Sequence, residues 1–172
     1  MKNSDAEDLK ILIESVDIFK VLPDEVKGKL ADAFTLAEFP EETPVIFQNQ
    51  SGEAFYLVSS GQLEVLVTES GKTKKIASMV RGEYFGEMSL LTGAKATATV
   101  KTLTPVRLFR LSREAFSSLI MNQSEICDLL ADVLEKRKTD TELLKRRLKF
   151  QPAPDKKENL SGKIKKFLGL GK

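Results

Sequence analysis

Apolar residues recur along this 172-residue chain with two different periods, and the places where the period changes divide it. From Glu7 to Val16, the residues Leu9, Ile11, Leu12, Ile13 and Val16 fall at helical spacing and predict a short amphipathic helix. Leu22-Pro23-Asp24-Glu25 reads as a second helix start, with proline near the first helical position and acids in the first turn. Val26, Leu30 and Phe34 continue its apolar face. From Thr35 the period shortens. The runs 36–39, 44–47, 54–59, 62–68 and 74–80 are apolar or alternating, with glycine, proline and acidic clusters between them and turns at Ser60-Gly61 and Glu69-Ser70-Gly71-Lys72. Two more runs follow at 96–102 and 106–111. About eight short strands at regular spacing predict a mainly β fold with flanking helices: an antiparallel β-roll or jelly roll, N-terminal helices and a long C-terminal helix.

Helical spacing returns at Ser112, an N-cap for a helix carrying Phe116, Leu119 and Ile120. Ser124 caps a longer one with Ile126, Leu129, Leu130, Val133 and Leu134, beyond which Leu143, Leu144 and Leu148 stand among charges. Gln151-Pro152-Ala153-Pro154-Asp155-Lys156-Lys157 reads as a linker, since two prolines forbid helix. After it, Leu160, Ile164, Phe167 and Leu168 recur at helical spacing beside Lys163, Lys165 and Lys166. The expected organisation is an N-terminal helix (1–17), a domain (18–150, with its roll at 35–111 and C-terminal helices at 112–150), a linker (151–158) and a basic amphipathic tail (159–172).

Composition narrows the function classes. With no histidine and a single cysteine, Cys127, the usual general bases, nucleophile pairs and metal clusters are missing, so an enzyme is not expected. The acidic start is no signal peptide and no apolar run is long enough to span a bilayer, which points to a cytoplasmic setting. Charge is unevenly placed. Residues 1–135 carry 14 Lys/Arg against 21 Asp/Glu, whereas residues 136–172 carry 13 against 4. An acidic body with a basic end makes the C-terminal tail an expected contact for a protein partner or an anionic membrane, which would place the chain peripherally on that membrane. The runs Lys136-Arg137-Lys138 and Lys145-Arg146-Arg147 lack interleaved aromatics and read as a charged helix surface rather than a nucleic-acid contact.

The chemistry concentrates in residues 85–100. An aromatic and a glycine, Phe85-Gly86, precede one turn of helix formers, Glu87-Met88-Ser89-Leu90-Leu91, which Gly93 ends before a strand from Ala96. Glycine lets a ligand approach the backbone, and the first amides of a helix have no partner within it, so they favour an anion. Glu87 would repel that anion and fits a sugar hydroxyl instead. The stretch reads as a cradle for a sugar phosphate.

Phe85-Gly86-Glu87-Met88-Ser89-Leu90, with the glycine and small residues that follow, resembles the phosphate-binding cassette of cyclic nucleotide-binding domains. Ser51-Gly52-Glu53-Ala54-Phe55-Tyr56-Leu57-Val58 and Gly61-Gln62-Leu63-Glu64-Val65 are similar to the family's central hairpin, and the resemblance covers about residues 15–150. It implies a β-roll that binds cAMP or cGMP as a ligand, without a further cofactor, through Phe85, Gly86, Glu87, Met88, Ser89, Lys95, Ala96 and Thr97. It also implies a C-terminal helix that closes over the base and transmits binding. In the family an arginine pairs with the cyclic phosphate; here that position is Ala96, with Lys95 just before it. Loss of a charged partner at a partly buried site costs roughly 2–4 kcal/mol, or two to three decades of affinity. Transcription regulators of this superfamily carry a helix-turn-helix module after the long helix. Only about twenty residues follow Phe150, too few for such a module, so DNA binding is not expected. The tail is similar to the extreme C-terminus of some bacterial mechanosensitive channels of small conductance that end in such a domain. Two readings stand at this point. In one, the chain is a small regulatory module binding cyclic nucleotide in the 85–100 cassette; in the other, it is a degenerate domain that binds no nucleotide and acts through a protein or a membrane.

Overall fold

Alternation builds two faces into every strand. In β8 (Val106–Ser112), Val106, Leu108 and Arg110 share one face while Arg107, Phe109 and Leu111 share the other. β3 (Ala54–Ser60) pairs with it antiparallel and repeats the division, Tyr56 and Val58 against Phe55 and Leu57. The computed structural model, which describes residues 3–120, 124–147 and 159–170, assembles eight strands into two antiparallel sheets. β1 (Thr35–Phe39), β8, β3 and β6 (Tyr84–Phe85) form one, in that order. β2 (Pro44–Ile46), β7 (Thr99–Thr102), β4 (Leu63–Glu69) and β5 (Lys72–Met79) form the other. The expected antiparallel β-roll with flanking helices is the observed fold.

The two faces bury different things. Between the sheets, Val58, Leu63, Phe85, Val100 and Leu108 make the inner core of the roll. On the outer face of the first sheet, Phe55, Phe109 and Leu111 meet the helices α1 (Asn3–Ser15), α2 (Asp17–Lys20), α3 (Asp24–Ala33), α5 (Arg113–Ile120) and α6 (Ser124–Arg147). Phe19, Phe34 and Phe55 meet edge to face there, with centroids 5.1–6.2 Å apart. Each such fully buried side chain contributes about 1.5–3 kcal/mol of transfer free energy, so the helices are held mainly by this layer. Polar pairs then fix α1 on the roll. Arg107 donates to Asp5 (2.9 Å) and Glu38 (3.1 Å), and Asp8 joins Arg81 and Ser59.

Several sequence expectations shift here. α2 was not anticipated, because four residues carry no period; Ile18 and Phe19 hold it by burial. β6 has two residues and exists through its pairing with Tyr56 and Leu57. The strand expected from Ala96 begins at Thr99. Ala96 instead lies in irregular chain whose amide donates to Gln50 O (2.9 Å) and whose carbonyl accepts from Asn49 N (2.8 Å). The Ser112 cap is present, its hydroxyl accepting from Ala115 N (3.2 Å). The linker 151–158 lies outside the described residues.

The tail forms α7 (Leu160–Phe167), capped by the Asn159 side chain on Gly162 N (2.9 Å). Much of its apolar face packs on the domain itself, while Phe167 stays 38% exposed. Leu160 and Ile164 are buried in the same core as Leu130 and Leu90, Lys165 pairs with Asp128 of α6 (2.8 Å), and Phe167 lies against Gly93. Among the described residues no helix is long and apolar enough to cross a membrane.

Candidate functional site

The site grows from a backbone that only glycine can take. Leaving β6, the chain turns through Gly86 at φ +85°, ψ −2°, and starts the six-residue helix α4 (Glu87–Thr92). A β-carbon at Gly86 would lie 2.4 Å from Ala54 O, so both the left-handed conformation and the space demand glycine. Gly93 ends the helix at φ +68°. The helix is fixed from beneath by Arg113, whose Nη2 donates to Gly52 O and Ser89 O.

Between α4, the inner faces of β4 and β5 and the irregular segment 96–98 lies a cavity of about 190 Å³. Phe85, Gly86, Glu87, Met88, Ser89, Ala96 and Thr97 all line it, so seven of the eight residues proposed from sequence come together. Lys95 does not. Its backbone bridges to Ser51, its side chain is exposed, and it is not part of the cavity wall. The adjacent Ala96 faces inward, 8% exposed. The lysine is therefore poorly placed to stand in for an arginine at 96.

Glu87 is the charged centre of the site. Its residue is 8% exposed, and burial pushes its carboxyl above the usual range. The opposing influence comes from Arg137 of α6, whose Nε lies 3.2 Å from Glu87 Oε1. The Arg137 guanidinium also donates to the Tyr84 carbonyl and lies 3.8 Å above the Tyr84 ring. Tyr84 in turn donates its hydroxyl to Asp17 Oδ1 at 2.7 Å, and burial raises its pKa despite the cation beside it. Asp17, Tyr84, Arg137 and Glu87 thus link α2, β6, α6 and α4 through one polar chain. Arg137 also lines the cavity.

Sequence reading missed Arg137 by assigning it to a charged helix surface. A signal was present, since Ile126, Leu130 and Leu134 step by four and Arg137 follows three later on the same face. A cation on the core stripe of a helix calls for a buried partner, here Glu87. Thr139, two residues further along α6, is exposed and donates to Glu135 O (2.9 Å). Among the described residues no cluster of three acidic, histidine or cysteine side chains could hold a metal ion.

Comparison with known proteins follows the same residues. A model of the cyclic nucleotide-binding domain matches positions 36–123. A cAMP-dependent protein kinase regulatory subunit from Yarrowia lipolytica is 36% identical over 108 residues, 63% of this chain and 28% of that protein. A cGMP-dependent 3',5'-cGMP phosphodiesterase A from Dictyostelium discoideum is 32% identical over 135 residues, 78% of this chain and 15% of that protein. The regulatory domain of Toxoplasma gondii PKA, solved with cAMP, superposes with a TM-score of 0.69 at 23% identity, covering 79% of this chain and 52% of that one. The chain spans less than a third of the length of these two curated relatives.

Proposed function

We propose, because this chain belongs to the cyclic nucleotide-binding domain family, that it is a non-enzymatic regulatory module taking cAMP or cGMP in the cavity walled by residues 85–89 and 96–97. The observation that carries the reading is the cavity itself. A glycine-only backbone turn, a buried carboxylate and the residues opening α4 face one space of about 190 Å³. The carboxylate accepts a sugar hydroxyl, and the amides with Thr97 meet the phosphate. Val65 and Ile76 give the base an apolar wall with Ser78 beside it, and cAMP and cGMP are both candidates.

Binding would act on α6 through Arg137. A ribose hydroxyl on Glu87 alters the partner that Arg137 now has, and the guanidinium is rigidly carried on a 24-residue helix. A ligand moves that helix only in so far as it binds one placement more tightly than another. The partner is one that reads the position of α6, since Leu160 and Ile164 of α7 are buried in the domain itself.

A second reading is favoured by Ala96 and by the Arg137 contact. In it, the phosphate finds no arginine at 96, Glu87 keeps its internal partner, and the domain binds another protein without nucleotide. Calorimetric titration of the full chain with cAMP and cGMP separates the two. Saturable binding, lost in Glu87→Ala and strengthened in Ala96→Arg, is the expected result. Absence of heat and of any thermal shift at millimolar ligand, in the native chain and in Ala96→Arg alike, would establish the second reading.

A further inference from the structure

One charged residue stands where the strand pattern calls for an apolar one. On β8 the inward face runs Val106, Leu108, Arg110, and the first two belong to the inner core of the roll. The other arginine of this strand, Arg107, points outward and is neutralised by Asp5 and Glu38. Arg110 is half-buried; among the described residues its guanidinium has no hydrogen bond and no ion pair, and its charge is felt by Glu114 of α5 without contact. An unpaired cation at an inward position is destabilising unless something else requires it.

Arg110 lines a second cavity of about 210 Å³ with Gln50, Ser51, Glu53 and Tyr56. Two residues, Ile46 and Ala96, are walls of both this cavity and the one at the cassette. Arg110 stands opposite Tyr56 across the β8–β3 ladder, and Tyr56 stacks on Phe85 at 5.0 Å between centroids, so one row of side chains leads from the cation to the cassette. Ala96, one of these two shared walls, carries the smallest chiral side chain. Glu53 shares the second cavity but makes no ion pair with Arg110 among the described residues.

We propose that Arg110 supplies, from the floor of the roll, the cation for the ligand's phosphate that position 96 lacks. This rests on the cyclic nucleotide reading of the cassette and deepens it: the anion sits against Ala96, and the guanidinium meets it from the second cavity with the two-pronged donor geometry suited to a phosphodiester. Arginine at 96 and arginine at 110 are then two routes to one charge, reached from opposite sides of the same wall.

The test is a cycle on the full chain titrated with cAMP and, as a probe lacking phosphate, adenosine. Arg110→Leu should weaken cAMP by about one to two decades and leave adenosine unchanged. Its thermal stability should hold or rise, because an unpaired charge leaves an apolar face. Arg110→Lys should fall between, guarding against a purely packing effect. Adding Ala96→Arg to Arg110→Leu should restore binding, and its gain should be larger there than in the native background. Equal cAMP affinity in the native chain and Arg110→Leu, or the same gain from Ala96→Arg in both backgrounds, would overturn the assignment. A silent native chain beside a binding Ala96→Arg variant would overturn both this assignment and nucleotide binding by the native chain, leaving only the shape of the cavity competent. Silence in both would remove both.

Discussion

The Glu87–Arg137 pair offers the sharpest perturbation. Replacing Arg137 by methionine keeps an unbranched stem over the Tyr84 ring but leaves the Glu87 carboxylate, with its side chain 11% exposed, without its 3.2 Å partner. Breaking a fully buried pair on one side costs about 3–5 kcal/mol. Arg137 retains 32% exposure, so solvent screens part of this, and about 2–3 kcal/mol is the expected loss at pH 7. The loss should depend on pH with a definite sign. Burial holds the folded-state pKa of Glu87 above its unfolded value, and removing Arg137 raises it further. For a carboxyl shifted upward, the penalty is absent below the unfolded pKa, where both states are protonated, and grows as pH rises towards the folded pKa. Urea unfolding should therefore show Arg137→Met most destabilised at neutral pH and close to the native chain near pH 4. The double variant Glu87→Gln with Arg137→Met should lose that pH dependence and recover part of the stability, with a coupling of roughly 1–3 kcal/mol. A cost below about 0.5 kcal/mol at pH 7, unchanged by acid, would identify the contact as an ordinary surface ion pair and refute the reasoning.

Two further outcomes follow from the backbone and the tail. Gly86→Ala must place a β-carbon 2.4 Å from Ala54 O at a φ of +85°, so the melting temperature should fall sharply and the cassette should lose any ligand; near-native melting would contradict the turn. Ile164→Asp puts a charge where α7 is fully buried, and it should undock that helix. Cys127, now buried with its thiol pKa raised by desolvation, should then react with a thiol reagent many times faster than in the native chain, and unchanged reactivity would refute the docking.

Much of this architecture could be read from the chain because its signals are periodic. Alternation in β3, β4 and β8 placed the roll, and the glycines at 86 and 93 placed the cassette helix between them. What escaped depended on partners distant in sequence. β6 is a strand because Tyr56 and Leu57 pair with it, and the three residues after Lys95 leave the strand because Gln50 and Asn49 take the main-chain groups of Ala96. Lys95 stands beside the phosphate position in sequence, but a step of one residue turns it outward. The apolar stripe of α7 was plain in its spacing, whereas nothing in it could say that the surface it covers belongs to α4 and α6. Arg137 and Arg110 are of one kind in this respect: each breaks an apolar period, and each break was legible before the partner was.

The docking of α7 gives the domain a mechanical linkage. Phe167 rests against Gly93 at the end of α4 while Lys165 and Ser161 hold Asp128 near the start of α6. A displacement of α6 relative to α4 must stretch this tie or release it, so the free energy of seating one short helix enters any equilibrium between positions of the other two. Whatever alters that equilibrium from the cavity must, by reciprocity, alter the occupancy of α7 on its seat by the same factor.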